Sequence, residues 1–472
     1  MTWESVLSTA MVGTGRRAVP PDALAGVVDP SDVDGWDAGG GPEATVLAAA
    51  AVLGSYRRAG WVPPAWRGER VAPAADDPRP ECSPAATQVL ELLLDRNIRI
   101  DGGNELLARQ WLAACAKADR RPPARLLATL LRLGTANPAF RDEVAAVAGP
   151  RGAWLAARNP RWAWAMPLDV GTAAEEFAIT GAWTRRVALL TAVRRHDPAA
   201  GLRMVEQTWR AEPATGRATL LEALDTGLSD ADEPFLESAL EDRSTSVRAA
   251  AAALLDRLPS SRRAGRMATR VRALTRADGT VELPDKPDAA AKRDGVTSRR
   301  EPGYGPRASW LIQVVGAAPL PAVPDLGGAS PELVTGWTKA ALFQRNRTWL
   351  RALAEASPTP EVLGALDPDT ATGVVAGLLD VDARFAGLLA ACPGPWPAGF
   401  SVLVTQLLQT ASSEGVLTLA FASLAEHLDA AALPGVEDWL TRTPTDKRAR
   451  RRTLRGLANA LTIRQTIQQE FS

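Results

Sequence analysis

LEDRSTSVRAAAAALLDRLP, running from Leu240 to Pro259, is the stretch whose reading decides the fold. Asp242 and Arg243 form a turn. Ser244 stands where a hydroxyl can accept from the free amides of a helix start, and Val247-Arg248 begin that helix. Ala251, Leu254 and Leu258 follow Val247 at i+4, i+7 and i+11, one apolar stripe of a 3.6-residue period. The alanines let a neighbouring helix approach closely, and the leucines supply the burial.

The pattern repeats. Shifted against itself by 31 residues, the middle of the chain places Arg186, Arg217 and Arg248 in one column without a gap. Leu189, Leu220 and Ala251 share the next apolar column, followed by Val193, Leu224 and Leu255. The intervening helices match as well: Met204 with Phe235, Val205 with Leu236, Trp209 with Leu240. Two helices recur per unit, and such a hairpin cannot cover its own apolar face, so it must stack on its neighbours.

On these residues the opening stretch resembles a HEAT repeat, with Arg186, Arg217, Asp242 and Arg248 as its repeat-structural positions. That resemblance implies an all-α fold of stacked helical hairpins, an α-solenoid. Elsewhere strand signals are nearly absent, and apolar helical stripes follow prolines such as Pro84, Pro123 and Pro397. The segment 278–307, rich in Pro, Gly and charge, reads as a linker or long loop between two helical arrays. The expected organisation is therefore an N-terminal helical region over 1–180, a repeat segment over 181–277 continuous with it, that linker, and a C-terminal helical region over 308–472.

The 472 residues are 46% apolar and 23% charged, an ordinary globular balance. Fifty-four basic residues offset 54 acidic ones, so no net field draws the whole molecule to nucleic acid or to an anionic lipid surface. Cys82, Cys115 and Cys392 lie far apart, form no CxxC pair and do not make a disulfide framework. Together with an N-terminus whose charge order opposes that of a signal peptide, they point to the cytoplasm. The apolar run ATVLAAAAVLGSY from Ala44 is too short for a membrane span of about 20 residues. Basic residues are almost all arginine, which with the abundant alanine suggests a GC-rich bacterial coding sequence.

Chemistry has little to stand on. There are two histidines: His196 precedes a helix-capping Asp197-Pro198, and His427 lies on a helix face. MVGTGRR (Met11–Arg17) lacks the preceding strand and the GK[ST] ending that a phosphate loop requires. Glu175-Glu176 would diverge by about 100° on a helix. No catalytic, cofactor-binding or metal-ligating residue is assigned, and the chain is expected not to be an enzyme.

Three sets of residues are candidates for a partner. Arg262, Arg266 and Arg270 recur at i, i+4 and i+8, opposite Met267, Val271 and Leu274, as an arginine ridge on one helix face. Lys447, Arg448, Arg451, Arg452 and Arg455 concentrate charge near the C-terminus. Guanidinium forks of this kind grip carboxylate or phosphate bidentately. Trp162 and Trp164, among fifteen tryptophans against two tyrosines, form a candidate exposed pair. The expected role is a non-catalytic protein-interaction scaffold or adaptor. The alternative is a nucleic-acid-binding array that uses the arginine clusters. Glu at 262, 266 and 270 together is expected to leave the fold intact and weaken the partner.

WESVLSTAMVGTGRR, LSDADEPFLESALEDRSTSVR, YGPRASWLIQVVGAAPL and PGPWPAGF further resemble an uncharacterised bacterial family that carries a domain-of-unknown-function label. The resemblance implies genes near MoxR-type AAA+ ATPases, von Willebrand A-type proteins and SWIM zinc-finger proteins, so an AAA+ ATPase or a von Willebrand A-type protein is the implied partner. It supplies no catalytic residues to carry over. Gly15 stands where the family pattern has an acidic residue.

Overall fold

The computed structural model describes residues 3–18, 41–60, 71–95, 103–276, 286–324, 326–378, 381–411 and 413–472, with 24, 29, 33, 97 and 281 singly. The fold is all-α. Among the described residues there is no strand, only isolated bridges at Glu81–Arg121 and Thr275–Val281.

The chain divides into two compact units, Met1–Pro73 and Ala74–Ser472. The first unit packs helix Trp3–Val12 on helix Gly41–Ala59 around Val6, Leu24, Val46, Ala49 and Leu53. Everything from Ala74 onward is one unit, the expected linker included. Within that linker, Asp288 caps a short helix, Ala289–Arg293, and Gly295 at φ +87° ends it. Ala291 and Val296 are buried with Met267 and Trp310, so apolar burial and two caps dock a segment whose composition reads as a loop. Residues 278–280 and 282–285 lie outside the described residues.

Stacking is visible in which helices touch. Trp183–His196, Ala214–Ala223 and Thr245–Leu255, the helices of the arginine column, pack in succession. Further on, two rows of alternate helices run side by side. One holds Arg347–Ala356, Pro368–Ala376, Ala398–Gln409 and Leu433–Arg442. The other holds Pro360–Gly364, Ala383–Ala391, Glu414–His427 and Arg448–Phe471. The last helix then reaches the first pair of its unit, Pro84–Leu94 and Asn104–Lys117. Trp111 meets Phe471 edge-on at 5.2 Å, and Ala460 and Ile467 enter the core around Leu90, Leu107 and Leu112.

Arginine holds these turns together. Arg194 is fully buried and spends its whole fork: two bonds to Asp232 at 2.8 and 2.9 Å, and others to the carbonyls of Pro198, Leu224 and Thr226. Arg464 of the last helix donates to the carbonyls of Ala425, Glu426 and Leu428, the orphan acceptors at the end of Glu414–His427. Its fourth bond, 3.0 Å to Gln110, ties that end to the start of the unit.

The three arginines of the column are joined through two acidic residues. Arg186 donates to the Glu212 carboxylate at 2.5 Å, while Arg217 takes the Glu212 backbone carbonyl at 2.7 Å. Arg217 then reaches the Asp242 carboxylate at 3.0 Å, and Arg248 takes the Asp242 carbonyl at 2.7 Å. Each acidic residue thus joins two successive arginines. Ser244 occupies the helix start as expected, but its hydroxyl pairs with Ser246 and not with a free amide. Asp242 also takes the Ser244 N–H at 2.8 Å, so this carboxylate organises the turn.

Candidate interaction surface

The two arginine runs come to opposite ends. Helix Arg262–Leu274 presents its ridge to acids of two other segments. Arg262 pairs with Glu233 at 2.9 Å, and Arg266 bridges Glu237 at 3.0 Å and Asp294 at 2.7 Å. Arg270 and Arg293 also converge on Asp294, at 2.7 and 2.8 Å. Burial pushes the Asp294 carboxyl upward, yet hydrogen bonds from Arg266 and Arg270 outweigh it and hold the group below the usual carboxylate range. Hydrogen bonding from Arg262 likewise lowers Glu233.

The side chain of Asp294 is 1% exposed and that of Glu237 is 7%. A Glu at 266 would face both at close range in a region of weak screening, which costs several kcal/mol. The expectation that the ridge tolerates charge reversal is corrected on this ground. The neighbouring Arg263, which the sequence pattern leaves unremarked, is itself buried, bonded to Asp256 and to the Asp294 carbonyl.

At the C-terminal run the charges separate by role. Lys447 and Arg450 share Glu414, at 3.6 and 2.5 Å, and the Arg450 bond holds Glu414 below its ordinary range. Arg451 caps the helix Leu433–Arg442, donating to the carbonyls of Leu440 and Thr443 at 2.9 and 2.6 Å. Arg448, Arg452 and Arg455 are exposed, and among the described residues none of their side chains has a hydrogen-bond or ion-pair partner. They recur at i, i+4 and i+7 of helix Arg448–Phe471, which puts them within about 60° of one another around its axis. That is a free three-guanidinium face.

Trp162 and Trp164 are half-buried, so they do not form an exposed pair. Both pack against the core around Trp111, from a tight turn over Pro160–Ala165. Trp164 donates to the Thr135 hydroxyl at 3.2 Å and lies over Gly134, where a Cβ would fall 2.5 Å from its ring. The Arg141 guanidinium lies over the same ring, 5.6 Å from its centre.

The groups that could do chemistry are placed as follows. His427 stands against Trp396, ring centres 5.5 Å apart, and burial pushes its pKa down. Asp197 caps its helix through the Ala200 N–H, as the run after His196 indicates. Cys392 is buried alone and its thiol is pushed up to about 12. Among the described residues no three His, Cys, Asp or Glu side chains come close enough together to hold a metal ion. No helix among them is long and apolar enough to cross a membrane.

No curated protein matches the chain. The profile of one family, described as a family of unknown function and designated DUF5691, matches residues 5–471. From Ser5 to Phe471, then, the helical rows, the arginine column and the free cationic face all lie within the matched stretch, and the chain belongs to the DUF5691 family.

Proposed function

We propose that this chain is a non-catalytic scaffold, a HEAT-like array that docks an acidic protein surface on Arg448, Arg452 and Arg455. One observation carries the reading: these three guanidiniums share a helix face, are exposed and have no partner among the described residues, whereas the comparable ridge at 262–270 is paired with carboxylates of the fold. An arginine fork loses less entropy per hydrogen bond than a lysine when it pairs with a carboxylate, and so suits an acidic partner. The balanced net charge favours a local protein contact over a nucleic acid. The gene neighbourhood implied by the family resemblance makes an AAA+ ATPase or its von Willebrand A-type companion the partner to test first.

The test is affinity capture of the tagged chain from its native cells, with and without ATP, beside a variant carrying Arg448→Glu, Arg452→Glu and Arg455→Glu. Stoichiometric recovery of an AAA+ ATPase or von Willebrand A-type protein by the native chain, lost with the variant, supports the reading. Equal recovery by both chains removes the face from consideration. Recovery of nucleic acid alone, falling steeply with salt, replaces the scaffold with the nucleic-acid reading.

A further inference from the structure

Cys82 and Cys115 are 33 positions apart, yet their sulfurs meet in the core 3.5 Å from each other. Both are free and buried. A disulfide needs about 2.05 Å between sulfurs, so the two sulfurs are about 1.5 Å beyond bonding distance. The backbone on either side is firmly held. The Cys82 N–H donates to the Arg121 carbonyl at 3.0 Å, and the Arg121 N–H returns a bond to Pro80, also at 3.0 Å. Cys115 lies in the last turn of Asn104–Lys117, and the N–H of Arg120 closes back onto its carbonyl at 3.0 Å.

We propose that Cys82 and Cys115 are an oxidation site, at which hydrogen peroxide converts two thiols into one disulfide that staples the entry of helix Pro84–Leu94 to the end of helix Asn104–Lys117. Cys82 is the first to react. It is 6% exposed and adjoins exposed Glu81, whereas Cys115 is fully buried. The sulfur–sulfur contact, in which either thiol can donate, lowers the pKa of Cys82 and, together with burial, raises that of Cys115, whose thiol also reaches the Arg120 carbonyl at 3.2 Å. Thiolate character is what a peroxide selects.

The steps balance. The Cys82 thiolate attacks one peroxide oxygen, the O–O bond breaks, and the departing hydroxide takes up the proton the thiol released to give water and a sulfenic acid. Cys115 sulfur then attacks the Cys82 sulfur, and the sulfenic hydroxyl leaves with the Cys115 proton as a second water. Two thiols are oxidised by two electrons, and one peroxide is reduced to two waters.

The place gives the bond a consequence. Ser83, next to Cys82, donates its hydroxyl to Glu470 of the last helix, and Trp111, one turn before Cys115, contacts Phe471. The staple therefore closes the pad on which the terminal helix rests, and it removes freedom from the unfolded chain across 33 positions.

The reduced full-length chain is treated with hydrogen peroxide, quenched, alkylated in denaturant and digested. The expected result is a peptide cross-linking Cys82 to Cys115, with Cys392 alkylated, and a thermal midpoint raised by several degrees that dithiothreitol reverses. The same chain carrying Cys115→Ser should show Cys82 as sulfenic or sulfinic acid without the rise, and Cys392→Ser should behave as the native chain. Three alkylated thiols after an exposure that oxidises free glutathione completely would overturn the assignment. So would a Cys82 sulfinic acid in the native chain, or a cross-link between two chains.

Discussion

Arg262, Arg266 and Arg270 on one helix, and Arg448, Arg452 and Arg455 on another, are near-equivalent patterns: arginines one turn apart, opposite an apolar stripe. The fold uses them in opposite ways. The first set meets Glu233, Glu237 and the buried Asp294, and closes the seam between helix Glu233–Ala239, helix Arg262–Leu274 and the docked segment around Ala289–Arg293. The second set meets nothing among the described residues, while Lys447, Arg450 and Arg451 beside it take up the local acid and the open helix end. What separates the two is the presence of a second element carrying carboxylates, not the helix that carries the arginines.

Charge reversal should separate the sets most sharply. Arg266→Glu sets a carboxylate against Glu237 and Asp294, and should cost about 3–5 kcal/mol, read as a fall in the urea midpoint. A change of less than about 1 kcal/mol would mean that the network is solvated and that the two sets are alike after all.

Asp294→Asn probes the same seam more gently. It keeps the shape and removes the charge that Arg266, Arg270 and Arg293 share, for a loss of about 2 kcal/mol at neutral pH. The pH dependence follows from the lowered carboxyl. Because the folded pKa lies below the ordinary Asp value of about 3.9, its contribution is fully present above that value. It is lost as the pH falls through the folded pKa. Native chain and variant should therefore converge in stability below about pH 4 and differ by a constant amount from pH 5 to 7. A gap that stays constant into acid would show that the carboxylate gains nothing from its arginines.

The sequence makes the helices and the arginine column legible because both depend on local spacing. Arg186, Arg217 and Arg248 keep their column in space, since each unit supplies the same acid-bearing turn to the next. Ridge pairing is a different problem. Glu233 lies 29 positions from Arg262, and Asp294 lies 28 from Arg266, so no periodicity within a helix announces them. Asp294 also sits in a segment whose Pro, Gly and charge content reads as a linker. The available signal was small: an Asp cap at 288 and a Gly stop at 295, which together bracket a docked turn of helix. The place of Trp164 is hidden for a similar reason. Its ring fills the gap over Gly134, and a helical wheel cannot show that a tight turn brings it there.

Arg452→Glu is the smallest expected change in stability and the most informative about function. Its side chain is exposed and unpaired, so surface behaviour applies and the urea midpoint should move by no more than about 0.5 kcal/mol. The flanking Arg448 and Arg455, one turn away on either side, would each face the new carboxylate and partly neutralise the patch. An acidic partner docked there should consequently dissociate faster and lose most of its captured amount, while the fold stays as it was. If Arg452→Glu destabilised the chain as Arg266→Glu does, the face would contribute to the fold and would not be free, and the contrast between the two arginine sets would fall.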